Sequence, residues 1–224
     1  MRYRLNPRHA AAHLFEVALE IDAPDPAGQA LRLPAWTPGS YMIRDFARHV
    51  VDLAAHIAER EGADVDVVRV AALFHDVAKL EVDQDVHAEA GARVAREYLE
   101  SHGEYPASFV DRVCQSILDH SYQGDPTDLA VETQCLIEAD LLDKVGANGT
   151  ALMLLRMGYE AKTHMDAAEM VQRVLERGHE AAARVESDTA ESIAYRRIKR
   201  VKWFREWLEE EVRGMDADVE ERPE

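Results

Sequence analysis

The spacing of apolar residues along this chain changes near residue 46. Before that point, apolar and polar positions alternate through residues 13–21, a pattern typical of a β-strand. After it, apolar residues recur three and four positions apart, which predicts an amphipathic helix. The first such stripe consists of Phe46, Val50, Leu53 and Ile57. The pattern therefore predicts a change from β to α structure at this point.

Start and stop signals divide the helical part of the chain. Glycines are expected to end helices at Gly62 and Gly103, while Asp64 and Pro106 stand where a first helical turn would begin. A Gly-Ala-Asn-Gly run at residues 146–149 is expected to end another helix. The predicted helices span residues 48–61, 65–76, 86–102, 106–120, 129–145, 165–177 and 189–212. This pattern predicts a mainly α protein.

The first 47 residues predict a short β-rich segment. A second apolar run at residues 31–36 lies between turn sequences rich in Pro, Gly and Asp. Two or three such strands are only marginally stable in water unless they pack against another part of a protein. Their unpaired edges offer a surface through which two copies of the chain can form a homodimer. We expect three parts in the chain: a β-rich fragment at 1–47, a helical domain at 48–213 and an acidic, disordered tail at 214–224.

Composition and charge limit the functional classes. With 47% hydrophobic and 31% charged residues, the chain matches a soluble globular protein. It contains neither an apolar run long enough for a membrane span nor a signal-peptide core, which predicts a cytoplasmic protein. The formal net charge of −17 argues against a nucleic-acid-binding surface, which needs clustered Lys and Arg. A small phosphorylated substrate stays compatible with this charge, because a bound metal ion reverses the local potential.

The candidate chemistry begins with the adjacent pair His75 and Asp76 at the end of an apolar helical run. An imidazole nitrogen and a carboxylate oxygen can together bind one divalent cation. An isolated pair of this kind can equally be a helix end at which Asp76 caps the backbone and His75 fills space. Three further candidates, in or at the end of separate predicted helices, favour the metal interpretation: His87, His120 and Asp140.

Some of these residues have alternative explanations. Asp140 lies inside an otherwise apolar helix, where a buried carboxylate needs a cation or a network of donors. On a solvated face it would need neither. His120 ends its helix, where a histidine is favourable for the helix dipole alone. Lys79, three residues after Asp76, is either a phosphate contact or a solvated lysine at a helix end.

The pattern resembles the HD-domain metal-dependent phosphohydrolases, an all-helical superfamily. The resemblance covers roughly residues 50–212 and rests on the motifs Glu61-Gly-Ala-Asp64, Ala71-Ala-Leu-Phe-His-Asp76, His87-Ala-Glu-Ala-Gly-Ala92, Ile117-Leu-Asp-His-Ser121 and Glu138-Ala-Asp-Leu-Leu-Asp143. It implies a helical HD-domain bundle preceded by the β-rich segment. It also implies a hydrolase that cleaves phosphoester or phosphoanhydride bonds of a nucleotide or other small phosphorylated compound.

The resemblance further implies a divalent metal ion, with Mn, Ni, Co, Fe, Zn and Mg all left open. His75 and Asp76 become metal ligands, and Asp140 closes the metal site. In two-metal relatives, histidines at the positions of His87 and His120 hold a second cation, whereas in one-metal relatives they line the substrate pocket. Whether the site holds one ion or two therefore stays open.

Other positions acquire roles through the same resemblance. Ser121 stands where two-metal relatives often have a further histidine. Asp143 would orient a ligand from behind it or pair with nearby cations. Asp76 would also serve in proton transfer from water, and Lys79 would contact a substrate phosphate.

The first ligand of the metal site is displaced in this chain. Alignment with the family pattern puts the expected histidine at position 46, which is occupied by Phe46, and the nearest histidine is His49. On a regular helix three residues rise about 4.5 Å and fall about 60° short of a full turn, so the two positions cannot present a ligand equally. His49 is a candidate ligand if the helix start shifts. Otherwise the chain is a degenerate HD domain that binds metal and nucleotide without turnover.

The segment before the helical domain resembles a different family. The run Leu33-Pro-Ala-Trp-Thr-Pro-Gly-Ser-Tyr-Met-Ile-Arg-Asp-Phe-Ala-Arg-His49 is similar to the N-terminal β region of glycyl-aminopeptidase-type, PDZ-containing metallopeptidases. The His-Glu-x-x-His motif of that family is missing, because His179-Glu180 is followed by three alanines. A third hypothesis is therefore a non-catalytic, peptidase-derived binding fragment. The two resemblances meet near residue 50 without a linker, which predicts a chimera-like chain.

Overall fold

A computed structural model of the chain describes residues 2–9, 14–20, 46–79, 82–122, 124, 126–160 and 167–214. Within these ranges it contains two strands and eight α-helices, so the mainly α fold class is confirmed. The chain divides into two compact units, Met1–Asp45 and Phe46–Glu224. In the part of the chain that the structure describes, no helix combines the length and the apolar character needed to cross a bilayer.

The first unit contains a two-stranded antiparallel sheet. Strand β1 (Arg2–His9) pairs with strand β2 (Leu14–Glu20), and Leu5 lies opposite Val17 in the register. Strand β2 coincides with the alternating pattern at residues 13–21, whereas that pattern does not predict β1. The strand expected at residues 31–36 lies outside the described residues.

The second unit is a bundle of helices. They are α1 (Phe46–Glu61), α2 (Val65–Phe74), α3 (His87–His102), α4 (Ala107–Asp119), α5 (Val131–Asp143), α6 (Gly146–Glu160), α7 (Ala167–Ala182) and α8 (Asp188–Val212). A short 3-10 turn at Pro126–Asp128 lies between α4 and α5. Seven of these helices correspond to predicted ones, and α6 does not.

Helix α5 lies at the centre of the bundle. It packs against α1, α2, α4, α6, α7 and α8, and eight of its thirteen residues are buried. A helix with most of its positions buried lies in a core rather than on a surface. Asp140 and Asp143 therefore belong to a central helix that packs against α1 and α2. Helix α1 carries His49, and His75 directly follows α2.

The start of α2 is fixed by the predicted cap. The carboxylate of Asp64 accepts hydrogen bonds from the backbone N–H groups of Asp66 and Val67, which satisfies donors that the first helical turn leaves unpaired. Arg112 of α4 donates to both Asp64 and Glu132 at 2.9 and 2.6 Å. This network joins the starts of α2 and α5 to α4, and so orients the helix that ends at the candidate site.

Helix α6 was not expected, because residues 146–149 read as a helix stop. In the structure they form its first turn. A Cβ on Gly149 would lie 2.4 Å from the carbonyl carbon of Lys144, and Gly146 has a φ of 91° beside the side chain of Arg197. These glycines are needed for close approach to neighbouring groups. The predicted helix does end before this run, at Asp143, but the further helix that begins at Gly146 was not predicted.

The start of α8 is fixed on the central helix by a buried carboxylate. Glu138 of α5 accepts hydrogen bonds from the backbone N–H groups of Glu186 and Ser187 and from the Ser187 hydroxyl, at 2.6–2.9 Å. Glu138 is thus a buried acidic residue, and both of its carboxylate oxygens accept hydrogen bonds from the start of α8. Beyond Gly214, the tail expected to be disordered lies outside the described residues.

Candidate metal centre

Four chain segments converge on one site. His75 is the C-cap residue directly after α2, and Asp76 follows it. His87 is the first residue of α3, and His120 is the C-cap residue directly after α4. Asp140 comes from the central helix α5. The structure thus brings together the five residues that the sequence indicated as ligands of one or two metal ions, and the three histidines are buried.

The close approach of α3 to the end of α2 depends on a glycine. A Cβ on Gly91 would lie 3.2 Å from the carbonyl oxygens of both Phe74 and His75, closer than most Cβ contacts. Glycine at this position lets α3 place His87, one turn earlier, beside the pair His75 and Asp76. The glycine of the His-Ala-Glu-Ala-Gly motif therefore has a packing role at the site.

The orientation of the three histidine rings follows from the ends of their helices. Each ring has its Nδ1 at hydrogen-bond distance from a backbone carbonyl oxygen three residues earlier. The distances are 2.8 Å for His75 to Ala72, 2.5 Å for His87 to Gln84 and 2.6 Å for His120 to Ile117. A carbonyl oxygen only accepts, so Nδ1 carries the proton in each ring. In the neutral ring, Nε2 then presents a lone pair to the site.

One group of donors consists of Asp76, His87 and His120. The Nε2 atoms of the two histidines are 3.1 Å apart, and Asp76 Oδ1 lies 3.6 and 3.9 Å from them. Asp76 Oδ1 is buried and has no hydrogen-bond partner among the described residues. Burial lowers the pKa of His120, although its bond to the Ile117 carbonyl acts in the opposite direction. A neutral His120 leaves a cluster of lone pairs that a cation would satisfy.

A second group consists of His75, Asp76 and Asp140. His75 Nε2 lies 3.6 Å from Asp76 Oδ2 and 3.9 Å from Asp140 Oδ1. The donor atoms in each of the two groups lie within 4.8 Å of one another. Asp76 belongs to both groups, with one carboxylate oxygen facing each.

The donor set fits a divalent transition-metal ion. Imidazole nitrogens bind such ions at about 2.0–2.1 Å, so two of them on one ion lie about 3 Å apart, as Nε2 of His87 and His120 do at 3.1 Å. Mixed imidazole and carboxylate ligands suit several first-row metals. The residues present therefore fit the ion implied by the resemblance.

Two lysines form ion pairs with carboxylates of the site. Lys79 donates to Asp76 Oδ2 at 2.6 Å, and Lys144 donates to Asp140 Oδ2 at 2.7 Å. Burial opposes ionisation of Asp140, but Lys144, His75 and Lys79 together hold the pKa of that carboxyl below its usual value. The sequence reasoning missed Lys144. Its spacing of four residues from Asp140 on one helix is the signal that could have indicated it.

His49 lies outside both donor groups. Its Nδ1 is 3.7 Å from Asp143 Oδ1 and has no hydrogen-bond partner among the described residues. Asp143 also accepts a hydrogen bond from the amide of Asn148 at 3.0 Å. Burial raises the pKa of Asp143, while His49 acts in the opposite direction. Phe46 is the first residue of α1, and its side chain lies outside the described residues. The identity of the first ligand therefore stays a prediction.

The helical fold is similar to that of HD-superfamily hydrolases. The structure of Bacillus subtilis YpgQ in complex with ADP matches with a TM-score of 0.62 at 23% identity, covering 76% of this chain and 89% of that one. An HD-superfamily hydrolase from Bacillus thuringiensis matches with a TM-score of 0.58 at 20% identity, covering 78% and 89%. A predicted HD superfamily hydrolase from an uncultured Thermotogales bacterium matches with a TM-score of 0.52 at 27% identity, covering 74% and 79%.

Sequence comparison gives relatives of two kinds. The YpgQ protein of Bacillus subtilis (strain 168) is 28% identical over 179 residues, which cover 76% of this chain and 84% of that protein. Ribonuclease Y of Pseudothermotoga lettingae is 34% identical over 103 residues, which cover 45% of this chain and 18% of that protein. The similarity to ribonuclease Y therefore concerns a small part of a much longer protein.

The N-terminal part of the chain matches another family. The model of the Peptidase M61 N-terminal domain matches residues 2–95, in agreement with the metallopeptidase resemblance of the first segment. The match continues past residue 50, where the sequence resemblance was expected to end, and includes all of α1 and α2. The two likenesses together are consistent with a chimera-like chain.

Proposed function

We propose that this chain is a metal-dependent phosphohydrolase that cleaves phosphoester or phosphoanhydride bonds of a nucleotide or other small phosphorylated compound. The observation that carries the proposal is the position of Asp76 between two groups of donors, with Oδ1 buried and unpaired among the described residues. The HD-type fold supports the reaction class. The ADP bound to the structurally similar YpgQ supports a nucleotide as substrate.

Each residue of the site has its own proposed role in the hydrolysis. A divalent cation bound here supplies Lewis acidity towards a phosphoryl oxygen and lowers the pKa of water. Asp76 is the candidate acceptor for the proton that the attacking water loses. Lys79, whose ammonium group lies 2.6 Å from Asp76, would contact a phosphate oxygen as a compact point charge. Lys144, beside Asp140, adds a second positive charge for an anionic substrate.

The test measures bound metal and phosphate release on the same preparations. The full chain is dialysed, its metal content is determined by mass spectrometry, and nucleotides and sugar phosphates are screened with Mn, Ni, Co, Fe, Zn or Mg. We expect phosphate or pyrophosphate release that His75→Ala abolishes. The matched control is His56→Ala, because His56 is an exposed histidine of α1. Full activity in His75→Ala would contradict the proposal.

The position of His49 favours one alternative. Because it lies outside both donor groups, the site lacks the first histidine of the family pattern among the described ligands. A chain that retains metal and binds ADP, but releases no phosphate from any substrate, would be a degenerate HD domain. Peptide binding without either property would instead support the peptidase-derived fragment.

A further inference from the structure

The sequence of α8 has an uneven charge that the net charge of the chain conceals. The chain carries −17 overall, yet residues 196–205 contain six Lys and Arg and no Asp or Glu. Residues 206–211 reverse this pattern with four glutamates. The helix therefore has a positive segment followed directly by a negative one.

Aromatic side chains lie exposed where the two segments meet. Trp203, Phe204 and Trp207 are 42%, 43% and 49% exposed, and Lys199 Nζ lies 5.0 Å from the ring centroid of Trp203. The inner face of α8 is packed through small and branched residues such as Val201. Clustered exposed aromatics on a helix face mark an interaction site more often than an ordinary surface.

Five residues of α8, four of them exposed and Glu210 half-buried, follow the spacing of a coiled-coil seam. Positions 196, 200, 203, 207 and 210 alternate between steps of four and three, so they lie along one stripe of the helix. The stripe holds Arg196 and Arg200 at one end, Trp203 and Trp207 in the middle and Glu210 at the other end. Position 203 is midway between 196 and 210. Reversing the helix about Trp203 places Arg196 opposite Glu210, Arg200 opposite Glu206 and Trp203 opposite its own copy, while Trp207 comes opposite Lys199.

We propose that the outer face of α8 binds the same face of a second copy of this chain, with the two helices antiparallel across a two-fold axis near Trp203. A two-fold contact requires a surface complementary to itself, which the reversal of charge along α8 provides. A parallel pair would place arginine against arginine. A partner of one sign, such as a nucleic acid or an anionic membrane, would match only the first half and be repelled by the glutamates. A homodimer formed through the β-rich segment, by contrast, would pair the edges of strands and would not involve α8.

Charge reversal in the full chain tests the pairing, with sedimentation equilibrium as the readout. One variant combines Arg196→Glu with Arg200→Glu, and the other combines Glu206→Arg with Glu210→Arg. Each alone places like charges opposite one another, so we expect dimer affinity to fall by more than about tenfold. Mixed in equal amounts, the two variants become complementary, and we expect a heterodimer of near wild-type affinity. High salt should weaken the wild-type dimer.

The control carries the same charge change on other helices. Arg60→Glu with Arg93→Glu replaces exposed arginines of α1 and α3, and we expect this variant to remain dimeric. Circular dichroism checks that every variant keeps its helices. A monomeric wild-type chain, reversal variants that still dimerise, or variants that fail to combine when mixed would each overturn the proposal. If the wild-type chain is monomeric and its tryptophan emission shifts when residues 215–224 are removed, the outer face of α8 binds the chain's own acidic tail instead of a second copy.

Discussion

Asp76 joins the two donor groups of the candidate metal centre, since its two oxygens face different histidines. Asp140 belongs to only one of the groups. We predict that Asp76→Ala removes all bound metal and hydrolysis, whereas Asp140→Ala keeps an ion at His87 and His120. Helical content should stay the same in both variants, because loss of a ligand removes little packing. Metal analysis and circular dichroism check this, and a fully active Asp76→Ala protein would show that the site is elsewhere.

The first ligand can be tested with two substitutions on α1. His49 pairs with Asp143 outside the donor groups, so we predict that His49→Ala leaves metal content unchanged. Phe46→His should raise metal affinity by about tenfold or more, the scale on which metal-site partners act, and should increase phosphate release. Metal titration on each variant provides the measurement. If His49→Ala abolishes a tight site, His49 is the ligand and position 46 is not.

The buried ring of His120 predicts a pH dependence for the metal-free chain. Burial lowers the pKa of this histidine in the folded state below its ordinary value of 6.5. The folded state therefore favours the neutral ring, and its contribution to stability is present above that value and lost as pH falls below it. We predict that urea unfolding shows a decline in stability from about pH 7 to about pH 5. His120→Gln should reduce this decline, and an identical pH profile in the variant would contradict the assignment.

The sequence indicated the five clustered ligand candidates by residue type and by position, four of them near helix ends and Asp140 inside a helix. It could not indicate the hydrogen bond between Arg197 and the Leu142 carbonyl or the approach of His49 to Asp143. Both depend on how α8 and α1 pack against α5, which the pattern of a single helix does not contain. Lys144 was missed because Asp140 was considered as a metal ligand or as a solvated carboxylate, and not as the partner of a lysine four positions later.

At the level of elements, glycine positions can be tested against one another. A Cβ on Gly91 would press on the carbonyl oxygens of Phe74 and His75, whereas a Cβ on Gly178 of α7 would meet nothing within 4 Å. We predict that Gly178→Ala stabilises the fold by about 0.5–1 kcal/mol. Gly91→Ala should destabilise it by about 1 kcal/mol through overpacking, and it should weaken metal binding. Urea unfolding and metal titration are the measurements, and equal stabilisation by both substitutions would show that α3 moves freely.

Helices with a clear apolar stripe and a clear end were predicted well. Helix α1 ends at Glu61 before Gly62, and α3 ends at His102 before Gly103. Helix α6 was missed because its first turn contains two glycines, which have low helix propensity. It packs against α7 and α8, and its Thr150 hydroxyl donates to the Gly146 carbonyl. Tertiary contacts rather than local preference therefore account for this helix.

At the level of the whole molecule, averages describe the chain less well than its parts. The net charge of −17 includes the basic run at residues 196–205, which the composition argument against clustered Lys and Arg did not consider. The likeness to two families is likewise uneven along the chain, because the peptidase-type match covers residues 2–95 and ends within α3 of the HD-type helical fold. A property assigned from either family needs a test on the part of the chain that carries the likeness.

Removal of residues 1–45 tests whether the helical unit is independent. The described core cluster of that unit consists of residues from Val50 onward, and a two-stranded sheet alone contributes little stability in water. We predict that residues 46–224 remain soluble and helical, retain metal, and unfold within about 4 °C of the full chain, equivalent to about 1 kcal/mol. Removal of residues 1–61 is the control, because it deletes the core residues of α1 and should unfold the domain. If the shorter deletion already abolishes folding, the first unit belongs to the core.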